Sequence, residues 1–187
     1  MVLAGCTSGT GEQDIGSPPA GSSGAPSGAP SGSAGPVRET PAHSCRFADP
    51  AFVRNAMGMR LGRITRLAGG GVTGCRFYAL QDSSLHTSEH LPGPHQPVLE
   101  IVVRRFASPV EANNAVVFVA RAGAHAQRVD LGRITGDCFQ TAFDPKDNSK
   151  DWACAANAGR TEVLVHSVDT TGTFSTATVI RAVLRRV

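Results

Sequence analysis

The spacing of apolar residues after position 44 predicts a series of short strands. In "PVLEIVVRRF", Leu99, Ile101 and Val103 alternate with positions that are mostly charged, which is typical of a strand with one buried face. The segments "LGRITRL" and "VTGCRFYAL" flank a run of glycines at 69–71 and predict a β-hairpin. Three or four further strands are predicted in "RVDLGRIT", "GDCFQTAF", "KDWACAANA" and "TEVLVHSV".

Capping residues and apolar periodicity predict helices before, between and after these strands. Asp49 as N-cap and Pro50 at the first helical position open a helix that Gly58 ends. Ser108 and Glu111 form a capping box that opens a second helix through "EANNAVVFVARA". The segment "FSTATVIRAVLRRV" predicts a terminal helix. Its predicted buried face carries Ala177, Ile180, Leu184 and Val187.

The resulting order, α-β-β-β-α-β-β-β-α, predicts an α+β domain in which helices pack on an antiparallel sheet. The pentapeptide "LGRIT" occurs at Leu61–Thr65 and again at Leu131–Thr135. This repeat hints at a doubled α-β-β-β unit, but coincidence in strand-like sequence explains it equally well. Both interpretations stay open.

A segment rich in Ser, Gly, Pro and Ala precedes the domain. Between Thr7 and Pro36, Ile15 is the only large apolar residue, so the segment cannot bury enough surface to offset its ordering entropy. We therefore expect residues 7–43 to be a disordered tether and residues 44–187 to form a single globular domain.

Cys6 ends the motif Leu3-Ala4-Gly5-Cys6, which has the form of a bacterial lipobox. In such a motif a signal peptidase cuts before the cysteine, whose sulfur carries a diacylglyceryl group. A full signal peptide places a charged segment and an apolar stretch before this site, and only Met1 and Val2 precede the motif here. We expect residues 1–6 to be the remnant of a longer lipoprotein signal peptide.

The remaining cysteines are Cys45, Cys75, Cys138 and Cys154. Their even number, without a Cys-x-x-Cys pair or a ligand-like spacing, favours disulfides over zinc. Four cysteines allow three pairings, and we favour Cys45–Cys75 with Cys138–Cys154 because each pair joins neighbouring elements. Disulfides and a lipobox both indicate an extracytoplasmic location.

Composition and charge exclude several classes of protein. The chain has 187 residues with 41% hydrophobic content, which suffices for one domain. Its formal net charge of +3 comes from arginines scattered from Arg38 to Arg186, so it does not indicate a nucleic-acid surface. No stretch approaches the roughly 20 apolar residues that span a bilayer.

The most specific candidate for a catalytic site is the segment "HTSEH". Its residues His86, Glu89 and His90 match the His-x-x-Glu-His pattern of inverted zinc peptidases. That chemistry needs both imidazoles on one helical face to hold Zn²⁺. Prolines follow at once and exclude a long helix here. His43 and His95 are further possible ligands, but a histidine-containing loop is commoner than a metal centre.

Other candidates favour structural roles. "DPKDNSKD" at Asp144–Asp151 lacks the glycine and glutamate of a calcium loop and indicates a turn between strands. His125 and His166 are expected to be satisfied structural histidines, and Trp152 is expected to pack on a disulfide with Cys154. No P-loop, dinucleotide fingerprint or Gly-x-Ser-x-Gly elbow occurs, so neither a cofactor nor a catalytic residue is predicted.

The chain resembles a family of uncharacterised actinobacterial envelope lipoproteins, mainly mycobacterial and corynebacterial, that carry a domain of unknown function. Besides Cys6 and the tether, the resemblance lies in the spacing of Cys, Gly and apolar residues from Cys45 to Val187, which is less specific than a catalytic motif. These patterns are "CRFADPAFVRNAMG", "GCRFYAL", "VLEIVVRRFASPVEANNAV", "GDCF", "VLVHSV" and "TATVIRAVLRR". The resemblance implies an envelope location and no established activity.

These features favour a non-catalytic lipoprotein held on the outer face of the cell membrane by a lipid on Cys6. Its domain is expected to bind a lipid or glycolipid in a groove between sheet and helices, or a partner protein of a membrane assembly, but no nucleic acid. The alternative is a metal-dependent hydrolase that uses the "HTSEH" segment. A purely structural spacer is a third hypothesis.

Overall fold

The computed structural model describes residues 35–80, 96–132, 134–144, 149–168 and 173–187. Within these residues, one eight-stranded antiparallel sheet carries three helices, so the predicted α+β class is confirmed. No helix among them is long and apolar enough to cross a membrane. The elements in chain order are β1 Arg38–Ala42, α1 Pro50–Met57, β2 Leu61–Gly69, β3 Val72–Ala79, β4 Leu99–Arg105, α2 Pro109–Ala122, β5 Ala124–Asp130, β6 Thr135–Asp144, β7 Ser149–Ala158, β8 Thr161–Ser167 and α3 Thr173–Leu184.

The sheet consists of two four-stranded meanders. Its strand order is β1-β2-β3-β4-β8-β7-β6-β5, so the last strands of the two meanders lie side by side. β4 and β8 pair in unbroken register from Leu99 opposite Ser167 to Arg105 opposite Thr161. The strand order is therefore symmetric about this central pair.

The repeated "LGRIT" does not mark this symmetry. Its first copy, Leu61–Thr65, lies in β2, whereas Leu131 and Gly132 of the second lie in the connection from β5 to β6. There the carboxylate of Asp130 accepts a hydrogen bond from the backbone N–H of Gly132 at 2.8 Å. A side chain that bonds the backbone two residues on favours a turn over a strand.

The helices divide between the two faces of the sheet. On the first face, α1 and α3 cover apolar residues of the central strands, because strand residues two apart point to the same side. This core includes Val53, Phe77, Leu99, Ile101, Val163, Val165, Ile180 and Val183. On the second face, α2 covers the C-terminal meander through Val116, which packs with Phe139, Ala153 and Ala155.

The predicted helix starts are confirmed. The Asp49 carboxylate accepts hydrogen bonds from the backbone N–H groups of Ala51 at 2.7 Å and Phe52 at 3.4 Å. Gly58 ends α1 with φ = 65°, a left-handed conformation that glycine adopts without strain. At α2, the Ser108 hydroxyl accepts a hydrogen bond from the backbone N–H of Glu111 at 3.2 Å.

β1 is missing from the predicted order, and β5 is only partly covered, because the predicted segment "RVDLGRIT" overlaps it at residues 128–130. Both are edge strands and largely exposed, so they lack the alternation of apolar residues that reveals a half-buried strand. Pro41 in β1 is tolerated because an edge strand need not donate every backbone hydrogen bond. The observed order is β-α-β-β-β-α-β-β-β-β-α, and the sheet includes Arg38–Ala42 from the segment assigned to the tether, residues 7–43.

The buried side of α3 is wider than predicted. Ala177 and Ile180 are buried as expected, but so are Val179 and Val183, because α3 packs against both the sheet and α1. Val187 was assigned to the buried face, yet it lies beyond the helix and is 45% exposed.

Gly74 tests how closely β3 and β4 approach. A Cβ at residue 74 would overlap the backbone carbonyl oxygen of Ile101 on β4. We expect Gly74→Ala to lower the free energy of unfolding by about 1–3 kcal/mol, measured by urea denaturation, because the backbone must shift. Gly35→Ala is the control, since a Cβ there meets nothing within 4 Å. Equal stabilities for the two variants would contradict the observed packing.

Candidate functional site

A cleft of about 530 Å³ opens on the first face, at the end of the β4–β8 pair. The β2–β3 turn contributes Gly71, and the two central strands contribute Arg105 and Thr161, which lie opposite each other. We call this site the arginine cleft. Its lining residues are Arg46, Phe47, Gly71, Thr73, Val103, Arg105, Thr161, Arg186 and Val187.

A disulfide holds one wall of the arginine cleft in place. Cys45 is bonded to Cys75 of β3, with their Cα atoms 6.0 Å apart, so the two residues that follow Cys45 are fixed against the sheet. The Arg46 guanidinium lies 4.5 Å from the centre of the Phe47 ring. It also donates a hydrogen bond to the Thr73 hydroxyl at 3.3 Å.

The arginine cleft is strongly cationic. Arg46, Arg105 and Arg186 are exposed, and within the described part of the chain none of them is paired with a carboxylate. The described lining residues also include no acidic side chain. Phe47 and Val103 also line the cleft, but both belong to the core of the first face and are only 4% and 7% exposed.

The chain enters the fold beside the arginine cleft. The first described residue, Gly35, lies close to the β2–β3 turn: its carbonyl oxygen would be 3.2 Å from a Cβ at Gly70. Gly71, the next residue of the same turn, lines the cleft. The described part of the chain therefore begins at the cleft end of the sheet.

Both disulfides have the pairing that the sequence favours. Besides Cys45–Cys75, Cys138 is bonded to Cys154, with their Cα atoms 4.0 Å apart. The second bond joins directly opposite residues of β6 and β7 on the first face. Two disulfides in a chain of this size are typical of an extracytoplasmic protein.

A network of hydrogen bonds and ion pairs lies on the second face of the N-terminal meander. The two oxygens of the Glu39 carboxylate accept hydrogen bonds from Thr65 and Tyr78, each at 2.6 Å, and from Arg76 at 2.7 Å. Arg76 also donates to Glu100 at 2.6 Å. Both Glu39 oxygens are occupied, so the network binds β1 to the sheet and is not an open site.

The charges of this network shift one another's pKa values. Partial burial raises the pKa of Glu39, but the three hydrogen bonds and the charge of Arg76 outweigh it, so this pKa lies below its ordinary value of 4.5. Burial raises the pKa of Tyr78, and the hydrogen bond to Glu39 raises it further. At neutral pH, Glu39 therefore stays negatively charged and Tyr78 stays uncharged.

Glu162 is a buried carboxylate whose desolvation is only partly compensated by hydrogen bonds and ion pairs. Its side chain is 1% exposed, and its Oε2 atom lies 3.4 Å from the Arg104 guanidinium. Among the described residues, its Oε1 atom has no hydrogen-bond partner. Burial raises the pKa of Glu162, and Arg104 offsets only part of this effect. Arg104 is on the second face, away from the arginine cleft.

The described histidines do not assemble into a site. The Nε2 atom of His166 lies 3.0 Å from the Thr141 hydroxyl and 3.9 Å from the Asp151 carboxylate, which agrees with a structural role. His125 is exposed at the start of β5, and its φ is 51°. His43 is also exposed. No group of three metal-ligating side chains occurs among the residues that the structure describes.

Several predicted residues lie outside the described part of the chain. They are Cys6, His86, Glu89, His90 and His95. Of the segment Asp144–Asp151, residues 145–148 also lie outside it, and β7 begins at Ser149. Lipidation and the "HTSEH" hypothesis therefore stay predictions.

Trp152 shares the first face of β7 with Cys154, two residues away, as its predicted association with the disulfide requires. The side chain is 8% exposed. Its Nε1 atom has no hydrogen-bond partner within the described residues.

No protein-family model and no curated protein matches this chain. The resemblance to actinobacterial envelope lipoproteins therefore stays a prediction. The arginine cleft itself was not predicted, because its three arginines are 59 and 81 positions apart along the chain. The available signals were local: Arg46 follows a disulfide cysteine, and Arg105 and Arg186 each follow the end of a predicted apolar segment.

Glu39→Gln tests the ion network. We expect the variant to be about 1–2 kcal/mol less stable than the wild type at pH 7, because hydrogen bonds to a charged group are lost. A lowered pKa in the folded state stabilises the protein above the ordinary value of 4.5, and this contribution disappears as the pH falls below it. Denaturation curves between pH 7 and pH 3 should therefore converge; a constant difference would contradict the charged role.

Glu162→Gln should have the opposite effect. Because the pKa of Glu162 is raised on folding, the wild type loses stability as the pH rises through that pKa. The amide carries no charge, so we expect the variant to be at least as stable as the wild type at pH 8 and to lose this advantage at lower pH. A large loss of stability at pH 8 would show that the pair with Arg104 is net stabilising.

Proposed function

We propose that the chain is a non-catalytic lipoprotein of the cell envelope whose domain binds a lipid or glycolipid in the arginine cleft. The observation that carries this proposal is the composition of the cleft. The exposed apolar side chain of Val187 and the small exposed parts of Phe47 and Val103 line the cleft together with exposed arginines and the Thr161 hydroxyl. Such a mixture suits a molecule with an apolar body and a polar head.

The size and the chemistry of the cleft support binding. Its volume of about 530 Å³ lies within the range of small-molecule sites, roughly 300–1,000 Å³. Its described lining includes no histidine, cysteine or acidic side chain. These are the side chains that most often serve as a general base or nucleophile, so the lining favours a binding role over a catalytic one.

The location of the cleft supports an envelope role. Both disulfides are typical of proteins outside the cytoplasm. If Cys6 carries the predicted lipid, residues 6–35 connect it to the cleft end of the domain. A lipid anchor on the same chain would raise the local concentration of membrane ligands at the cleft.

The test is retention of lipid by the oxidised full chain. After incubation with a bacterial envelope lipid extract and gel filtration, mass spectrometry should find about one lipid per chain. Thr161→Trp places a large ring in the cleft and should reduce retained lipid about tenfold or more. Asn113→Trp is the matched control, because Asn113 is exposed on α2 on the opposite face. Absence of lipid from the wild type, or equal retention by both variants, would contradict the proposal.

A further inference from the structure

The three cleft arginines, Arg46, Arg105 and Arg186, differ from the arginines engaged elsewhere in the fold. Arg76 pairs with two carboxylates, and Arg128 pairs with Asp137 at 3.2 Å. In the part of the chain that the structure describes, the cleft arginines have no such partner. Their charge is available to an anion from outside the protein.

The number of donors indicates which anion fits. A guanidinium offers five N–H donors in a planar fork and stays charged at physiological pH. One such group satisfies a carboxylate by a bidentate contact, so three exceed what a single carboxylate accepts. A phosphate monoester carries a charge of about −1.5 to −2 at pH 7 and three terminal oxygens. Three guanidinium groups therefore supply enough N–H donors for all three terminal oxygens of such a phosphate, and their positive charge exceeds its negative charge.

One of the three groups is held in position before any ligand arrives. Arg46 packs on the Phe47 ring and donates to Thr73, whose hydroxyl in turn lies 3.5 Å from the Val103 carbonyl oxygen. These contacts reduce the freedom that the side chain loses on binding. Arg105 is placed by the β4–β8 register opposite Thr161, which adds a hydroxyl donor.

The surroundings of the cleft indicate what carries the phosphate. Among the apolar lining residues, Val187 is 45% exposed, whereas Phe47 and Val103 are only 4% and 7% exposed. Val37, which is 50% exposed, lies near the same turn, because its Cγ2 atom would be 3.3 Å from a Cβ at Gly70. Charged donors bordered by exposed apolar side chains are suited to the boundary between headgroups and acyl chains.

We propose that the three cleft arginines bind the phosphate group of an anionic lipid headgroup. This inference rests on the proposed function and names the class of ligand for the same cleft. Arg46, Arg105 and Arg186 contact the phosphate oxygens, and the exposed side chains of Val37 and Val187 contact the adjoining part of the lipid. Selectivity for anionic over zwitterionic lipids follows from the excess of positive charge.

The test compares two triple variants of the full chain with its disulfides formed. Arg46→Gln/Arg105→Gln/Arg186→Gln removes the cleft charges. Arg54→Gln/Arg60→Gln/Arg121→Gln removes the same number of exposed charges, of which Arg54 and Arg60 lie near the opposite end of β2 and Arg121 lies on α2. The probes are phosphatidylcholine vesicles with and without phosphatidic acid, measured by co-sedimentation in 0.15 M salt, and inorganic phosphate, measured by calorimetry.

We expect the wild type to bind vesicles that contain phosphatidic acid. The cleft variant should bind them about tenfold more weakly or worse, and the control variant within about twofold of the wild type. Equal losses in the two variants, or equal binding to both kinds of vesicle, would overturn the phosphate site. If the cleft variant does not fold, as judged by circular dichroism, Arg105→Gln/Arg186→Gln replaces it, because these side chains make no contact with Phe47 or Thr73 in the described hydrogen bonds and ring contacts.

The outcomes separate this inference from the proposed function. If the full chain retains a neutral lipid that Thr161→Trp displaces, and the arginine substitutions change nothing, the function stands and the phosphate site falls. If inorganic phosphate binds to the wild type but not to the cleft variant, and no lipid or vesicle binds, the lipid function falls and the cleft is a site for a soluble phosphate.

Discussion

The pairing of β4 with β8 is the constraint on which the rest of the structure depends. It joins the two meanders into one sheet, between strands that start more than 60 positions apart in the chain. On the first face, this pair contributes Ile101, Val103, Val163 and Val165 to the core, and none of them is more than 7% exposed. The arginine cleft lies at the end of this pair, so its geometry is set by the most deeply buried part of the sheet.

The parts of the fold that could be predicted are those in which the local sequence itself indicates a buried face, a helix start or a turn. Asp49 and Ser108 mark helix starts because their side chains satisfy free backbone N–H groups, and they do so whatever the surroundings. β1 could not be found in this way, and only residues 128–130 of β5 fall within a predicted strand segment. A strand at a sheet edge is specified by the backbone of its neighbour, and "RETPA" and "AHAQRVD" contain no pattern that shows the neighbour exists.

The candidate site was harder to predict than the fold for a related reason. The cysteine pairing followed from the order of elements, because each bond joins elements that are near in sequence. The cleft instead combines a residue after Cys45, the end of β4 and the residues after α3. Scattered arginines look like an ordinary solvated surface until the topology shows which of them have carboxylate partners. Arg76 and Arg104 are paired across strands, whereas Arg105, one position further along, has no carboxylate partner among the described residues.

The position of Cys45 has a mechanical consequence. Any tension on the chain before residue 35 acts first on β1. This strand is held by its pairing with β2 and by the hydrogen bond that its Glu39 carboxylate accepts from Arg76. If β1 is peeled away, the bond from Cys45 to Cys75 transfers the load to β3 inside the sheet. Unravelling then stops after about ten residues, or roughly 30 Å of extension, and the core beyond Cys45 remains intact. The disulfide therefore confines force-induced unfolding from this side to the residues before Cys45.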